Sequence, residues 1–333
     1  NIKGREIIDS RGYPTVEAVV HLDNKTLAVA SVPSGASTGK FEAHELRDGD
    51  NKRFLGKGVL KAVKNINTLI SDNLIGKNAD DQKNIDDLLI KLDGTVNKKK
   101  LGANAILAVS IANFKAVGIK HNQCIMPVPM VNILNGGVHA DNGLDIQEFM
   151  IMPVKADNFK HAVQISAEIF HTLKKILSDN SLSTNLGDEG GYAPQLKNHS
   201  EALEYLIQSI SKAGYSPGED VYIALDAASS EFYKNNKYEL SGENKKISSD
   251  ELIKYYENMI SSYPIISIED PLSEDDYDGW KNITKNLGDK IQLVGDDLFV
   301  TNENKLKEGI KNKIGNSILI KLNQIGTVSE TLN

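Results

Sequence analysis

Cysteine and long apolar runs are scarce in this sequence, and each scarcity excludes a class of protein. The 333 residues contain one cysteine, Cys124, which excludes an internal disulfide framework and favours a reducing compartment, by default the cytoplasm. No apolar stretch approaches the ~20 residues of a membrane helix, and the first residues, NIKGREIIDSRG, are too polar for a signal peptide. We therefore expect a cytoplasmic protein without a membrane partner.

An excess of positive charge and the usual zinc and nucleotide motifs are missing as well. The formal charge of -7 and the pI near 5.6 argue against binding to nucleic acid or to anionic membranes. His121, His139, His161 and His171 have no paired-ligand spacing, which disfavours zinc. GASTGK is a poor P-loop, because it has too few residues between its glycines and Phe41 follows Lys40.

The first ~125 residues predict an α+β domain. Two β-branched runs, 15–22 and 26–32, are separated by a short polar turn and indicate a hairpin. Apolar residues at 59, 63, 66 and 70 have helical spacing, and the alanine-rich stretch 101–118 indicates a largely buried helix. We assign residues 1–123 to an N-terminal α+β capping domain.

From residue 127 onward the pattern predicts alternating strands and helices, and we assign residues 124–333 to a (β/α) barrel domain. One helix should bury a stripe comprising Phe159, Val163, Ser166, Phe170, Leu173 and Leu177. Four short apolar runs, at 221–226, 265–270, 291–297 and 317–323, lack polar alternation, as expected for parallel strands covered on both faces. Without a Rossmann glycine fingerprint, these repeated units favour a barrel with its functional groups at the carboxyl ends of the strands.

Each of the four runs carries a polar residue of functional type at or near that end, namely Asp226, Glu269, Asp296 and Lys321. A single acid after a strand is commonly a helix cap or an exposed loop residue. Three acids at one end of a barrel would instead form an oxygen-rich cup of the kind that Mg²⁺ prefers. Lys321 lies in the apolar context ILIKLNQ and is either an ion-pair partner of those acids or a base. A metal site with a lysine base beside it suits the removal of a proton from a carbon atom next to a carboxylate.

Seven motifs in this sequence resemble the enolase family, in the family's order and over nearly the whole chain. They are DSRGYPTVE, VPSGASTG, NILNGGVHADNGLDIQEFMIMP, GDEGGYAP, SIEDP, GDDLFVTN and LIKLNQIGTVSE. The resemblance implies an α/β fold in which the N-terminal α+β domain is followed by an enolase-type TIM-like barrel. The stretch GEDVYIALDAASSEFY is more typical of bacterial than of animal members.

The resemblance implies a glycolytic lyase that reversibly dehydrates 2-phosphoglycerate to phosphoenolpyruvate. In enolase-superfamily sites a Lys or His base works with one or two Mg²⁺ ions that stabilise an ene-diolate. By similarity, Lys321 is the base that removes the C2 proton. The carboxylates of Asp226, Glu269 and Asp296 match the ligands of a first Mg²⁺, and Ser37 matches a ligand of a second Mg²⁺ that arrives with substrate.

The same resemblance assigns the remaining site residues. Glu189, between the glycines of GDEGGYAP, matches the general acid that helps the 3-hydroxyl leave as water, and Glu148 matches the carboxylate that works with it. The surrounding glycines would allow a close approach to substrate. His139 and Gln147 match substrate-contacting positions, as do Glu148, Glu269, Asp296 and Lys321.

The sequence departs from the family pattern at three places. Tyr13 replaces the usual asparagine, the connection at 116–127 is shorter than in the family, and the Ser-His-Arg-Ser-Gly-Glu segment with a second active-site lysine does not follow LIKLNQIGTVSE. The stretch from Pro127 to Asn333 is also shorter than the ~250 residues of a typical barrel. We expect an apparently incomplete barrel, in a polypeptide that continues beyond Asn333.

Two other functions stay open at this point. One is an acid-sugar dehydratase or racemase of the wider superfamily, although GDEGG and SGAST resemble enolase proper. The other is a binding role, because enolases as a family occur on cell surfaces and bind plasminogen, which implies a secondary cell-surface or secreted pool. The family is at least dimeric, so a homo-oligomer, a dimer or an octamer, is expected.

Overall fold

The computed structural model describes residues 1–35, 39–118 and 126–333. Its strands are β1 (Ile2–Ile8), β2 (Pro14–His21), β3 (Leu27–Ser31), β4 (Val131–Asn135), β5 (Glu148–Met152), β6 (Tyr222–Asp226), β7 (Tyr233–Lys234), β8 (Lys237–Leu240), β9 (Lys245–Ile247), β10 (Ile265–Glu269), β11 (Gln292–Gly295) and β12 (Ser317–Ile318). Its α-helices are α1 (Leu60–Asn65), α2 (Ser71–Leu74), α3 (Gln82–Asp93), α4 (Ala103–Val117), α5 (Phe159–Asp179), α6 (His199–Lys212), α7 (Ser249–Ser262), α8 (Tyr277–Leu287), α9 (Glu303–Asn312), α10 (Leu322–Ile325) and α11 (Val328–Leu332).

The chain forms two compact units. The N-terminal unit comprises Asn1–Gln123, Phe299–Leu306 and Ile320–Asn333, and the C-terminal unit comprises Cys124–Leu298 and Lys307–Leu319. The domain boundary that the sequence predicts, between residues 123 and 124, stays a prediction. Across the described residues, no helix has both the length and the apolar character that a membrane-spanning segment requires.

The N-terminal unit is an antiparallel sheet covered by helices. Its strand order is β1-β2-β3, and β2 pairs with β3 as the predicted hairpin. A π-helical turn, Ile66–Ile70, joins α1 to α2, and Val59, Ile66 and Ile70 are fully buried, as their spacing predicted. The predicted alanine-rich helix is α4, which packs on β2 and β3. Small alanine side chains allow this close approach of helix to sheet. The antiparallel sheet with helices packed on it confirms the predicted α+β fold.

The C-terminal unit is built on a six-stranded sheet in the order β12-β11-β10-β6-β5-β4. The four predicted apolar runs form β6, β10, β11 and β12, which are parallel as expected. β5 runs antiparallel to both of its neighbours. The expectation of regular alternation from residue 127 was therefore wrong for β4 and β5. These two strands are joined without a crossover helix, because an antiparallel pair does not need one.

The buried face of α5 also differs from the predicted stripe. Phe159 and Val163 are 40% and 50% exposed. The buried positions are instead Ala162, Ile165, Ser166, Ile169, Leu173, Ile176 and Leu177. Both sets have helical periodicity, so the sequence pattern alone does not decide which apolar residues of α5 face inward; the tertiary packing of α5, which includes contacts with α6, decides it. His161 is partly exposed and His171 is exposed.

Candidate functional site

The carboxylates predicted from the sequence meet at one edge of the six-stranded sheet. Asp226 and Glu269 are the last residues of β6 and β10, and they are directly paired in the parallel register. Glu148 is the first residue of β5, yet it pairs with Asp226, because β5 runs in the opposite direction. Paired residues on neighbouring strands project their side chains to the same face. The row Glu148–Asp226–Glu269 thus follows from the register alone.

Asp296 extends this row beyond β11. It directly follows the strand, and its backbone N–H donates to Asp270 Oδ1 at 3.1 Å, while the N–H of Asp297 donates to Asp270 Oδ2 at 2.7 Å. Oxygens of these three aspartates lie within 4.8 Å of one another. Burial, together with the negative charges of Asp297, Asp296 and Asp226, raises the pKa of Asp270 well above its usual range.

The donor chemistry of this edge fits a hard divalent cation. Asp226, Glu269 and Asp296 are all buried, and they supply oxygen atoms of the type that Mg²⁺ takes as ligands. The effect of Asp226, Asp296 and Asp297 on Asp270 shows that their negative charges act on one small region. Buried acids at this density are costly unless a counter-charge accompanies them. Acidic groups of this edge could therefore bind a metal.

Gln147 is tied to the same row. Its backbone N–H donates to the carbonyl oxygen of Asp226, and its Nε2 donates to Asp226 Oδ2, each at 3.0 Å. The other oxygen of that carboxylate, Oδ1, accepts from the N–H of Ala228 at 2.9 Å. These bonds fix the orientation of the Asp226 carboxylate. Gln147 Oε1 is buried and has no hydrogen-bond partner among the described residues.

A second group consists of His139, Glu148 and Glu189. His139 Nδ1 lies 3.7 Å from Glu148 Oε1, and His139 Nε2 lies 3.7 Å from Glu189 Oε1. The imidazole is buried, and neither ring nitrogen has a hydrogen-bond partner within the described part of the chain. Two polar atoms that are buried without partners are unfavourable, and they mark a place where a polar ligand would be stabilised.

The loop that carries Glu189 is fastened to β4. Gly187 N–H donates to the carbonyl oxygen of Gly191, and Gly191 N–H donates to Asn135 Oδ1, each at 2.8 Å. A Cβ atom at Gly191 would lie 2.5 Å from Asn135 Oδ1, and one at Gly187 would lie 2.6 Å from the carbonyl oxygen of His139. These two glycines therefore allow close packing on β4 and the His139 turn, whereas the sequence had suggested an approach to substrate.

Two predicted residues, Ser37 and Lys321, remain to be described. Ser37 falls outside the described residues. Lys321 belongs to the N-terminal unit and precedes α10 as its N-cap residue. It is exposed, and so are the flanking Ile320 and Leu322. The burial suggested by its apolar context is thus wrong, because this short segment follows β12 without continuing the strand.

Sequence reasoning missed two residues of this edge, Asp270 and Asp297. Both directly follow a residue that was selected, in the motifs SIEDP and GDDLFVTN. Period-two alternation would assign Asp270 to the face opposite Glu269. Asp270 instead has a left-handed backbone with φ of 38°, which breaks that alternation. Only the backbone conformation reveals its contact with Asp296 and Asp297.

Two family models match this sequence and together cover it. One, described as the enolase C-terminal TIM barrel domain, matches residues 123–333. The other, described as the enolase N-terminal domain, matches residues 1–126. The order of the two matches agrees with the order of the α+β unit and the sheet that carries the carboxylate row.

Proposed function

We propose, from the premise that this chain belongs to the enolase family and is a lyase of the enolase superfamily, that it dehydrates 2-phosphoglycerate to phosphoenolpyruvate. The observation that carries the proposal is the pair of carboxylates, Glu148 and Glu189, each with an oxygen 3.7 Å from a ring nitrogen of the buried His139, with Glu148 also belonging to the row at the strand ends. An elimination requires a base, an acid with a separate role, and stabilisation of charge on the substrate carboxylate.

In the proposed reaction, the neutral amine of Lys321 removes the proton from C2 of the substrate and becomes an ammonium. The C3–oxygen bond then breaks as the C2–C3 double bond forms. Protonated Glu189 donates its proton to the departing hydroxyl, which leaves as water, and Glu148, which has an oxygen within 4.8 Å of one of Glu189, assists it. Exchange of protons with solvent restores Lys321 and Glu189.

His139 and Gln147 are proposed to contact the substrate. The buried ring nitrogens of His139 and Oε1 of Gln147 are available for polar groups of a ligand. Mg²⁺ would be held by Asp226, Glu269 and Asp296, and a second Mg²⁺ by Ser37, by resemblance to the family. When bound, Mg²⁺ supplies positive charge to the substrate carboxylate as negative charge develops on it.

The test is the absorbance of phosphoenolpyruvate formed from 2-phosphoglycerate, with Mg²⁺ and then with a chelator. We expect turnover that the chelator abolishes and that added Mg²⁺ restores. Folded protein without turnover would refute this proposal and favour another acid substrate.

Two variants separate the acid from the base. Lys321→Ala should lose both turnover and exchange of the C2 proton with solvent, whereas Glu189→Gln should lose turnover by about 10²-fold to 10⁴-fold and retain C2 exchange. Glu219→Gln is the matched control, because Glu219 forms an exposed ion pair with Lys155. If Glu189→Gln kept full turnover, the assignment of the acid would be wrong.

A further inference from the structure

Thr301 links two separate stretches of the N-terminal unit. It lies in Phe299–Leu306, and Lys321 lies in Ile320–Asn333. The backbone N–H of Lys321 donates to Thr301 Oγ1 at 2.8 Å, and the Thr301 hydroxyl donates to Gln324 Oε1, also at 2.8 Å. Thr301 and Gln324 are both buried. One hydroxyl thus serves as acceptor and donor at the segment that bears Lys321.

The backbone at this point is strained. Val300 and Thr301 have φ angles of 43° and 53°, in the left-handed region that β-branched residues rarely adopt. A glycine or an asparagine would take this conformation at a lower cost. Neither of them carries a hydroxyl that could be acceptor and donor on one atom. The strain therefore coincides with the placement of Thr301 Oγ1, and strain of this kind persists where the surrounding structure enforces it.

Gln324 connects the same segment to a third stretch of the unit. The backbone carbonyl oxygen of Gln324 accepts from the N–H of Ala43 at 2.8 Å. The backbone N–H of Gln324 donates to the backbone carbonyl oxygen of Lys321 at 3.1 Å. The N–H and the carbonyl oxygen of Lys321 are thereby both engaged, one by Thr301 and the other by Gln324. Because its backbone N–H and carbonyl oxygen are both hydrogen-bonded, the backbone position from which the Lys321 side chain extends is fixed.

We propose that Thr301 is a positioning residue for the base, acting through the backbone of Lys321. This inference rests on the proposed function, in which Lys321 removes the C2 proton. A base must lie within hydrogen-bonding reach of the proton that it abstracts, and a displacement of about 1 Å can cost about 10²-fold in rate. Loss of the hydroxyl should therefore lower the rate of proton removal more than it weakens substrate binding.

The experiment compares Thr301→Val, which has the same shape and no hydroxyl, with Thr301→Ser, which keeps the hydroxyl. The matched control is Thr331→Val in the same unit, which removes a hydroxyl that donates to the carbonyl oxygen of Thr327. The measurements are kcat and KM for 2-phosphoglycerate, the isotope effect with substrate deuterated at C2, and hydrogen exchange of the Lys321 amide.

For Thr301→Val we expect kcat to fall at least tenfold with KM within about twofold, a larger isotope effect, and faster exchange of the Lys321 amide. Thr301→Ser should restore all three, and Thr331→Val should match the wild type. An active Thr301→Val protein with unchanged kcat overturns the positioning role, even if its amide exchange is faster. Should that variant fail to fold, an unprotected Lys321 amide in the wild type would equally overturn it. Absence of turnover in the wild type refutes the proposed function itself.

Discussion

The buried His199 makes the stability of this protein depend on pH. It is the first residue of α6, and its Nε2 accepts from the N–H groups of Asp145 at 3.0 Å and Ile146 at 3.3 Å. Because Nε2 is an acceptor, the ring proton is on Nδ1, which lies 2.8 Å from the hydroxyl of Tyr255. Tyr255 in turn donates to Glu243 at 2.6 Å. The neutral imidazole therefore holds the chain just before Gln147 and Glu148.

Burial lowers the pKa of His199 from its ordinary 6.5 to about 4, although Glu243 opposes this shift. Asp145, Tyr255 and Lys245, which is paired with Glu243, are the other ionisable groups of this cluster. Between pH 6.5 and 4 the unfolded chain binds a proton on His199 that the folded chain does not bind. Stability must therefore fall as the pH falls through this window. The loss is about 3 kcal/mol over the whole window and about 2 kcal/mol by pH 5.

The assay is urea unfolding of the wild type and of His199→Gln between pH 7.5 and pH 5. Glutamine offers an acceptor oxygen to the two N–H groups and does not titrate. Other groups that titrate in this range are common to both proteins, so their effects cancel in the difference. We expect the free energy of unfolding of the wild type, relative to the variant, to decrease by about 2 kcal/mol between pH 7.5 and pH 5.

His171→Gln serves as the control, because His171 is exposed on α5, and its stability should lie within about 0.5 kcal/mol of the wild type at pH 7.5. A difference between the wild type and His199→Gln that stays constant over the whole pH range would refute the reasoning. It would mean that His199 takes up its proton as readily in the folded as in the unfolded chain.

Three further changes test the fold and the strand-end site. Ser248→Ala removes the capping box of α7 and should cost about 1 kcal/mol of stability, measured by thermal unfolding; no change would mean that the cap is dispensable. Gly191→Ala places a Cβ 2.5 Å from Asn135 Oδ1, so we expect turnover to fall through displacement of the Glu189 loop; full turnover would contradict this packing. Asp270→Ala removes the carboxylate that accepts from the N–H groups of Asp296 and Asp297. The Mg²⁺ concentration for half-maximal turnover should therefore rise about tenfold. An unchanged Mg²⁺ requirement would exclude this supporting role.

The parallel strands and their terminal acids could be predicted from the sequence, because both depend on local pattern. An apolar run without polar alternation indicates a strand covered on both faces, and the acid that ends it marks the edge of the sheet. The order of the strands and the reversed direction of β5 could not be predicted. Glu148 begins its strand, so the rule that functional residues lie at carboxyl ends would have left it out had the family resemblance not selected it.

The sequence by itself determined the α+β character of the N-terminal part, the four parallel strands of the sheet and the acidic residues at or just after the ends of three of them. Periodicity, capping residues and donor atoms are local properties, so they can be recognised along the chain. Tertiary structure alone decided that His139 lies close to both Glu148 and Glu189, that Asp270 accepts from the N–H of Asp296, and that α5 buries Ile165 and Ile169. These contacts depend on register, backbone conformation and packing, which join residues distant in sequence and leave no local pattern.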